Sequence, residues 1–230
     1  LSGLYSYLSE GSKKEAEIPI SELATRVVNG DVKRVEVEGD KLNVELPAGY
    51  PDESYPGFAA PLVVKSHQSD RVACGLAKFG LIPSWAKDEK IARHTYNARS
   101  ETAAEKPSYR TPWKQRQYGL VLVDNFYEPS YESGRAVRWK IELASGDPFG
   151  IACLWDRWSD PTSGELVVSF SMLTVNADDH PVMRQFHKPG DEKRTPVVIA
   201  AQRQDAWLGA VADQRHAAAV GSSADTCREY

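Results

Sequence analysis

Short apolar runs alternate with polar and turn-forming residues along most of the chain. Between residues 35 and 46, Val35, Val37, Leu42, Val44 and Leu46 alternate with polar positions around Gly39 and Asp40, a pattern that predicts a hairpin. Each further run is bounded by Gly, Pro, Asp or Ser, and the runs cover Leu62–Val64, Val72–Phe79, Gly119–Val123, Val137–Leu143, Phe149–Leu154, Val167–Leu173 and Pro196–Ala200. We therefore expect a core built mainly from short strands.

Helical patterning is limited to three segments. Residues 19–30 predict a short helix that begins near Ser21 as N-cap and ends at Gly30, and further helices are expected after Arg99 and around residues 201–210. Because strands and helices do not alternate regularly, the pattern favours an α+β fold over a doubly wound α/β fold. We find no linker, so residues 1–216 are predicted to form one domain, followed by a flexible tail over residues 217–230.

Charge is unevenly distributed along the chain. The formal net charge is -4, and residues 1–55 carry eleven acidic and six basic side chains, whereas residues 84–116 carry eight basic and four acidic ones. The second stretch also contains Trp85, Tyr96, Tyr109 and Trp113. Positive charge mixed with aromatic rings suits a groove that holds single-stranded nucleic acid. A solvated face with buried rings explains the same pattern, and composition alone favours that simpler interpretation.

The cysteine and histidine patterns argue against a metal site or a disulfide framework. Cys74, Cys153 and Cys227 are widely spaced and odd in number, and neither His94 nor His180 has a second ligand at suitable spacing. We expect no metal and no cofactor. No run of eighteen apolar residues and no signal-peptide pattern is present, so we expect a cytoplasmic protein, and a monomer because nothing indicates a symmetric interface.

Four segments, taken together, resemble the SOS response-associated peptidase (SRAP) family. They are Phe-Gly-Leu-Ile-Pro-Ser-Trp-Ala (79–86), Tyr-Asn-Ala-Arg-Ser-Glu-Thr (96–102), Val-Asp-Asn-Phe-Tyr-Glu-Pro (123–129) and His-Lys-Pro-Gly-Asp-Glu-Lys-Arg-Thr-Pro-Val-Val-Ile (187–199). Their order and spacing are more specific than any one match. The resemblance implies a compact α+β domain with a small barrel-like core of mixed and antiparallel sheets flanked by helices, and a channel for single-stranded DNA containing abasic sites.

The resemblance also implies roles for individual residues. In the family, the amine of an N-terminal cysteine condenses with the aldehyde of an abasic site, and the thiol closes a thiazolidine. An α-amino group suits this step because its pKa of roughly 7.7 to 8 leaves a nucleophilic fraction at neutral pH. Asn97 matches the asparagine that orients the N-terminal residue, while Glu128 and His187 match the proton-transfer pair. The DNA contacts implied or expected for this chain are Arg99 beside the lesion phosphate and Trp85, Lys87, Arg184, Lys188 and Arg194 along the strand.

Two segments depart from the family pattern. Leu-Ser-Gly-Leu-Tyr-Ser (1–6) stands where the family has Met-Cys-Gly-Arg-Tyr-Ser, so Ser2 replaces the nucleophilic cysteine, Leu1 covers its amine and Leu4 replaces a DNA-facing arginine. A serine hydroxyl is a poor substitute for a thiolate. Either the natural start differs from this one, or the chain binds lesions without a stable cross-link. Pro129 replaces the tryptophan that usually follows the family's Tyr-Glu.

Three functions remain open from the sequence. The first is an abasic-site protein with Ser2, Asn97, Glu128 and His187 at the lesion. The second is a self-processing peptidase that uses the same pocket to remove a short N-terminal extension from the protein itself. The third is a non-catalytic single-strand binder of mobile-element origin, which predicts equal affinity for intact and abasic strands and a steep salt dependence.

Overall fold

The structure, a computed structural model, describes residues 53–65 and 72–209 in full and otherwise only the backbone of five further strands. In chain order the strands are β1 (Tyr5–Ser9), β2 (Ser12–Ile18), β3 (Arg34–Glu38), β4 (Lys41–Glu45), β5 (Ala59–Lys65), β6 (Val72–Phe79), β7 (Asn97–Arg99), β8 (Tyr118–Val123), β9 (Phe126–Ser130), β10 (Val137–Glu142), β11 (Phe149–Ser159), β12 (Leu166–Asn176), β13 (Arg194–Pro196), β14 (Val198–Ile199) and β15 (Thr226–Arg228). The described helices are α1 (Arg110–Lys114) and α2 (Gln204–Gly209), with 3₁₀ segments Glu89–His94, Met183–Gln185 and Ala201–Arg203.

Five of the described strands close into a small mixed barrel. β6, β5, β8, β11 and β12 pair in that order through antiparallel ladders, and a parallel pairing of β12 with β6 closes the ring. Closure leaves no unpaired edge on these strands. The predicted α+β fold with a barrel-like core is therefore confirmed.

Alternate side chains of the barrel strands pack on opposite sides of the wall, because successive residues of a strand point to opposite faces. The cluster inside the barrel contains Ala60, Leu62, Ala77, Phe79, Val121, Cys153 and Phe170. Phe79 and Phe170 stack there with ring centroids 5.1 Å apart. The cluster outside the barrel contains Leu120, Leu154, Leu173 and Trp207, so α2 covers this side of the wall.

Two groups of strands extend from the barrel. β3, β4, β1 and β2 continue the sheet from β6, while β9, β10 and β15 form a separate three-stranded sheet. The second sheet packs against the segment around Met183 and Phe186 through Ile141, Phe126 and Trp139. This packing brings the end of β9 close to residue 187.

Most of the predicted elements are present. The hairpin at residues 35–46 is confirmed by the β3–β4 ladder, and the apolar runs from residue 59 to residue 199 all form strands. The helix expected around residues 201–210 is found as a 3₁₀ turn that continues into α2. The helix predicted over residues 19–30 lies outside the described residues. The predicted tail contains β15, which pairs with β10, and the proposed boundary at residue 216 stays a prediction.

Candidate functional site

A cavity of about 510 Å³ opens at one end of the barrel. Its floor is apolar and is formed by barrel residues such as Phe79, Val121, Ile151, Phe170 and Met172. Its rim includes Glu128 and the neighbouring residues of β9. The volume lies in the range of pockets that enclose a small-molecule ligand, roughly 300 to 1,000 Å³.

Glu128 lies in the middle of β9, opposite Trp139 of β10. Its side chain is 16% exposed. Among the described residues, no basic side chain lies closer to its carboxylate than His187. Burial raises the pKa of Glu128 to about 8, because the ionised form loses hydration that the apolar surroundings do not replace. At neutral pH Glu128 is therefore mostly a neutral acid that can give up a proton.

His187 is held by its backbone at the end of the neighbouring segment. Its amide donates to the carbonyl oxygen of Pro129 (2.9 Å), next to the bridge between Ser130 and Phe186. Its φ of 62° lies in the left-handed region, which costs a residue other than glycine on the order of 1–3 kcal/mol. Backbone strain of this kind is typical of functional sites, where surrounding contacts maintain it.

The two side chains meet although the sequence separates them widely. Nε2 of His187 lies 3.6 Å from Oε2 of Glu128 and donates to the carbonyl oxygen of Arg194 at 2.7 Å. A carbonyl oxygen only accepts, so the proton is on Nε2 and Nδ1 is the basic atom of the neutral ring. The ring nitrogen nearest Glu128 is thus the protonated Nε2, and Nδ1 keeps the free lone pair of the neutral ring.

Asn97 and Arg99 lie on β7, which pairs in parallel with β12. Asn97 is paired in register with Met172, and Ala98 with Leu173. Registered partners on adjacent strands point to the same face, and Met172 lines the cavity, so Asn97 lies on the cavity face of the sheet. Tyr109 supports the strand from the other side because its hydroxyl donates to the Asn97 carbonyl oxygen (3.0 Å).

Arg99 and Arg194 share a carboxylate. Glu192 accepts from Arg99 Nη1 (2.5 Å) and from Arg194 Nη1 (2.7 Å). Arg194 also binds both oxygens of Glu101, at 3.0 and 2.8 Å, and the carbonyl oxygen of Thr174. Hydrogen bonds from Arg194 and then Arg99 lower the pKa of Glu192 to about 2.

Arg99 and Arg194 were both predicted as DNA contacts, but they differ in exposure. The Arg99 side chain is 57% exposed, whereas that of Arg194 is only 13% exposed and holds β13 to Glu101 and Thr174. Arg194 also positions His187, since its carbonyl oxygen accepts the Nε2 proton. Direct contact of either arginine with DNA stays a prediction.

The remaining predicted DNA contacts are exposed, and Lys188 directly follows His187 in the chain. Trp85 is 55% exposed on a loop whose Ser84 amide donates to Asp156, at the opposite end of β11 from Ile151. Lys87, Arg184 and Lys188 are exposed as well. Ser2, the predicted nucleophile, and Leu4 lie outside the described residues. Asn97, Glu128 and His187 are the predicted catalytic residues whose positions the structure describes.

The structure adds residues that the sequence did not indicate. Glu53, Tyr55, Tyr127 and Arg138 lie together on the rim of the cavity. Glu192, the acidic partner of both arginines, was missed as well. Its spacing of two residues from Arg194 was the available signal, because residues i and i+2 of extended chain share a face.

The described residues contain no cluster of three or more His, Cys, Asp or Glu side chains that could hold a metal ion. None of the described helices is long and apolar enough to cross a membrane. The expectations of no metal and no cofactor stay predictions, as does the monomeric state.

The chain is similar to several known proteins. The family model described as "SOS response associated peptidase (SRAP)" matches residues 36–228, a range that excludes the segment around Ser2. "Abasic site processing protein YoaM" of Bacillus subtilis is 33% identical over 175 residues, which cover 74% of this chain and 72% of that protein. "Abasic site processing protein HMCES" of Rattus norvegicus is 30% identical over 137 residues, which cover 47% of this chain and 38% of the rat protein.

Two solved structures show the same fold. A crystal structure of a protein from Bordetella bronchiseptica has a TM-score of 0.71 at 34% identity, covering 79% of this chain and 87% of that one. A crystal structure of a protein from Bacteroides thetaiotaomicron has a TM-score of 0.57 at 25% identity, covering 68% and 66% of the two chains. Both similarities agree with the barrel described above.

Proposed function

Since the chain belongs to the SOS response-associated peptidase (SRAP) family, we propose that the site at its barrel mouth processes abasic sites in single-stranded DNA. The observation that carries the proposal is the Glu128–His187 pair, at 3.6 Å. Glu128 lines the cavity, and Asn97 lies on the same face of the sheet as Met172, which also lines it. The similarity to an abasic site processing protein of Bacillus subtilis supports it. The expected cytoplasmic location belongs to the same proposal.

The proposed chemistry is condensation of an amine with the ring-opened aldehyde of the lesion. The amine nitrogen bonds to the aldehyde carbon, and a proton moves from nitrogen to oxygen, giving a carbinolamine. Glu128 then gives its proton to the hydroxyl group, water leaves, and the nitrogen lone pair forms the carbon–nitrogen double bond. The product is a protonated imine that keeps one N–H proton. In this proposal Nδ1 of His187, the ring nitrogen with a free lone pair, takes that proton, and hydration of the imine reverses the same steps.

The nucleophile determines how stable the adduct is. With an N-terminal cysteine the thiol adds to the imine carbon and closes a thiazolidine. With Ser2, once Leu1 is removed, the amine is equivalent but the hydroxyl has little anionic character near neutral pH. We therefore expect a transient Schiff base with a β-elimination nick from Ser2, and a stable ring only from cysteine.

Strand binding is assigned to exposed positive charge. Arg99 next to Asn97 is placed to hold the phosphate beside the lesion, and Arg184 and Lys188 flank His187. Trp85 and Lys87 would extend the contact further along the strand. Arg99→Glu should weaken binding to every single strand, and unchanged affinity would place the groove elsewhere.

Borohydride trapping on single-stranded DNA with one abasic site tests the proposal. The proteins are the chain with Ser2 exposed at the N-terminus, a Ser2→Cys version that begins at residue 2, and Glu128→Gln in each background. We expect a borohydride-dependent adduct from Ser2, a heat-stable adduct from cysteine, and slower formation of both in the Glu128→Gln proteins. No adduct from either start, together with equal affinity for intact and abasic strands, would favour the non-catalytic single-strand binder.

Self-processing is a second candidate, because an acid–base pair can also serve peptide hydrolysis. In that case the chain removes its own N-terminal extension. Intact mass of freshly purified protein measures this directly. A mass lower by the leucine residue in the wild type but not in Glu128→Gln supports self-processing, whereas equal full-length masses exclude it under those conditions.

A further inference from the structure

A compact group of four side chains lies on the cavity rim, separate from the acid–base pair. The guanidinium carbon of Arg138 lies 3.5 Å from the centroid of the Tyr127 ring and 5.9 Å from that of Tyr55. Glu53 accepts from Arg138 Nη2 at 3.1 Å and from the Tyr55 hydroxyl. All four residues line the same cavity as Glu128, and we call them the rim cluster.

The rim cluster is flat and partly exposed. Tyr55 is 47% exposed, Tyr127 is 36% exposed, and the Arg138 side chain is 49% exposed although it stacks on Tyr127. An arginine held flat on a ring presents a planar surface, and guanidinium planes and tyrosine rings are the surfaces on which unpaired nucleobases stack. The geometry therefore suits a planar ligand.

The charge balance argues for a base rather than a phosphate. The Arg138 charge is compensated by Glu53 at 3.1 Å, so the rim cluster has no net charge from this pair. A phosphate site requires uncompensated positive charge. A nucleobase requires a stacking surface and a few donors and acceptors, which the guanidinium, the Glu53 carboxylate and the Tyr55 hydroxyl supply.

We propose that the rim cluster binds the nucleobase next to the abasic site, stacked on Arg138, and that Glu53 and Arg138 contact the edge of that base. This inference rests on the proposed function, because it assigns the part of the same substrate that adjoins the lesion. A cavity of about 510 Å³ has room beside Glu128 for more than the five-carbon sugar that reacts. Binding the neighbour would also keep the baseless sugar in register with Glu128.

The test uses oligonucleotides that cannot react. Each carries a tetrahydrofuran abasic analogue, which has no aldehyde, in a 15-nucleotide strand of constant length and charge. In one strand both flanking nucleotides keep their bases, in two others the 5′ or the 3′ neighbour is also tetrahydrofuran, and affinity is measured by fluorescence anisotropy at one salt concentration. Removing the bound base should weaken wild-type binding about five- to a hundredfold, from roughly 1–3 kcal/mol of stacking per base at 1.4 kcal/mol per tenfold.

Variants assign the effect to the rim cluster. Arg138→Lys keeps the charge but removes the planar guanidinium, and Arg138→Leu removes both, so each should reduce the difference between strands with and without the base to about twofold or less. Arg157→Leu is the matched control, because Arg157 lies 5.2 Å over Trp155, outside the cavity lining. We expect it to keep the wild-type difference.

The outcomes separate this inference from the proposed function. The base site is overturned if the wild type binds all strands equally, or if both Arg138 variants keep the wild-type difference between strands. Adduct formation on aldehyde-containing DNA is then still judged by trapping. A flanking-base effect that depends on Arg138 supports the site even if trapping fails. Arg138→Lys, the conservative change, supplies the assignment if Arg138→Leu does not fold, and the wild-type comparison alone can overturn the base site.

Discussion

Arg99 donates a hydrogen bond to Glu192 (2.5 Å), so the arginine assigned to the lesion phosphate is bound to a carboxylate in the free protein. Glu192 is held in place by its second partner, Arg194, at 2.7 Å. A phosphate that approached Arg99 would therefore compete with Glu192 for the Nη1 donor.

Glu192→Gln should strengthen binding to single-stranded DNA. The amide still accepts from Arg194 but no longer competes with phosphate for Arg99, and ion pairs this exposed are weak, so we expect at most about fivefold higher affinity. Fluorescence anisotropy at low and physiological salt measures the change. Asp191→Asn makes the same charge change at the adjacent exposed position and should have a smaller effect. Weaker binding by Glu192→Gln would show that Glu192 positions Arg99 instead.

Glu128→Gln should slow imine formation by about a hundred- to ten-thousandfold with little change in affinity for a tetrahydrofuran strand. In the wild type the rate should fall as pH rises above about 8, where Glu128 loses the proton it donates. The terminal amine loses its proton near pH 7.7 to 8 and becomes nucleophilic, so the rate should rise with pH up to this range. Single-turnover rates between pH 6 and 9.5 should therefore be bell-shaped for the wild type and lack the alkaline decrease for the Glu128→Gln variant. If the pH–rate profiles of the wild type and Glu128→Gln superimpose, Glu128 does not donate the proton in this step.

The stability of the fold should also depend on Glu128. Its pKa is raised from an ordinary 4.5 to about 8, so the folded chain retains a proton that the unfolded chain loses. The protonated carboxyl therefore contributes to the free energy of unfolding fully below about pH 4.5. This contribution, on the order of a few kcal/mol, is lost as the pH rises towards 8. Urea unfolding at pH 5, 6.5 and 8 should show the wild type losing stability relative to Glu128→Gln. Glu105→Gln, at an exposed position, is the control, and parallel curves for the wild type and Glu128→Gln would contradict the burial argument.

Arg194→Gln should destabilise the protein, whereas Arg184→Gln should not. The Arg194 side chain is only 13% exposed, makes charge-assisted hydrogen bonds to both oxygens of Glu101 and donates to Thr174, and losing these bonds should cost about 1–3 kcal/mol. Arg184 is exposed, so its replacement should lower DNA affinity and leave the unfolding free energy within about 0.5 kcal/mol. Chemical denaturation and anisotropy on both variants check the two effects. Equal stability of the two variants would mean that Arg194 is not a structural clamp.

The sequence predicted the barrel strands well because each carries a local signal. The run Val72–Phe79 predicted β6 without error at either end, since a mainly apolar stretch between polar loops has few alternatives. The prediction of a helix after Arg99 was less accurate, because the segment folds mainly as turns followed by α1. Its aromatic residues are positioned by long-range packing and not by periodicity. Closure of the barrel by β12 and β6 has no local signal at all.

By itself the sequence determined the identities of Asn97, Arg99, Glu128 and His187 as candidate site residues, through the order of four motifs, and the strand pattern of the core. Only the tertiary structure decided their chemistry. Contact between Glu128 and His187, the raised pKa of Glu128 and the binding of Arg99 to Glu192 depend on distances and desolvation, which arise when segments far apart in the chain pack together. The rim cluster has the same origin, because Glu53 and Arg138 become partners only after the sheet carrying β9 and β10 closes over the barrel mouth.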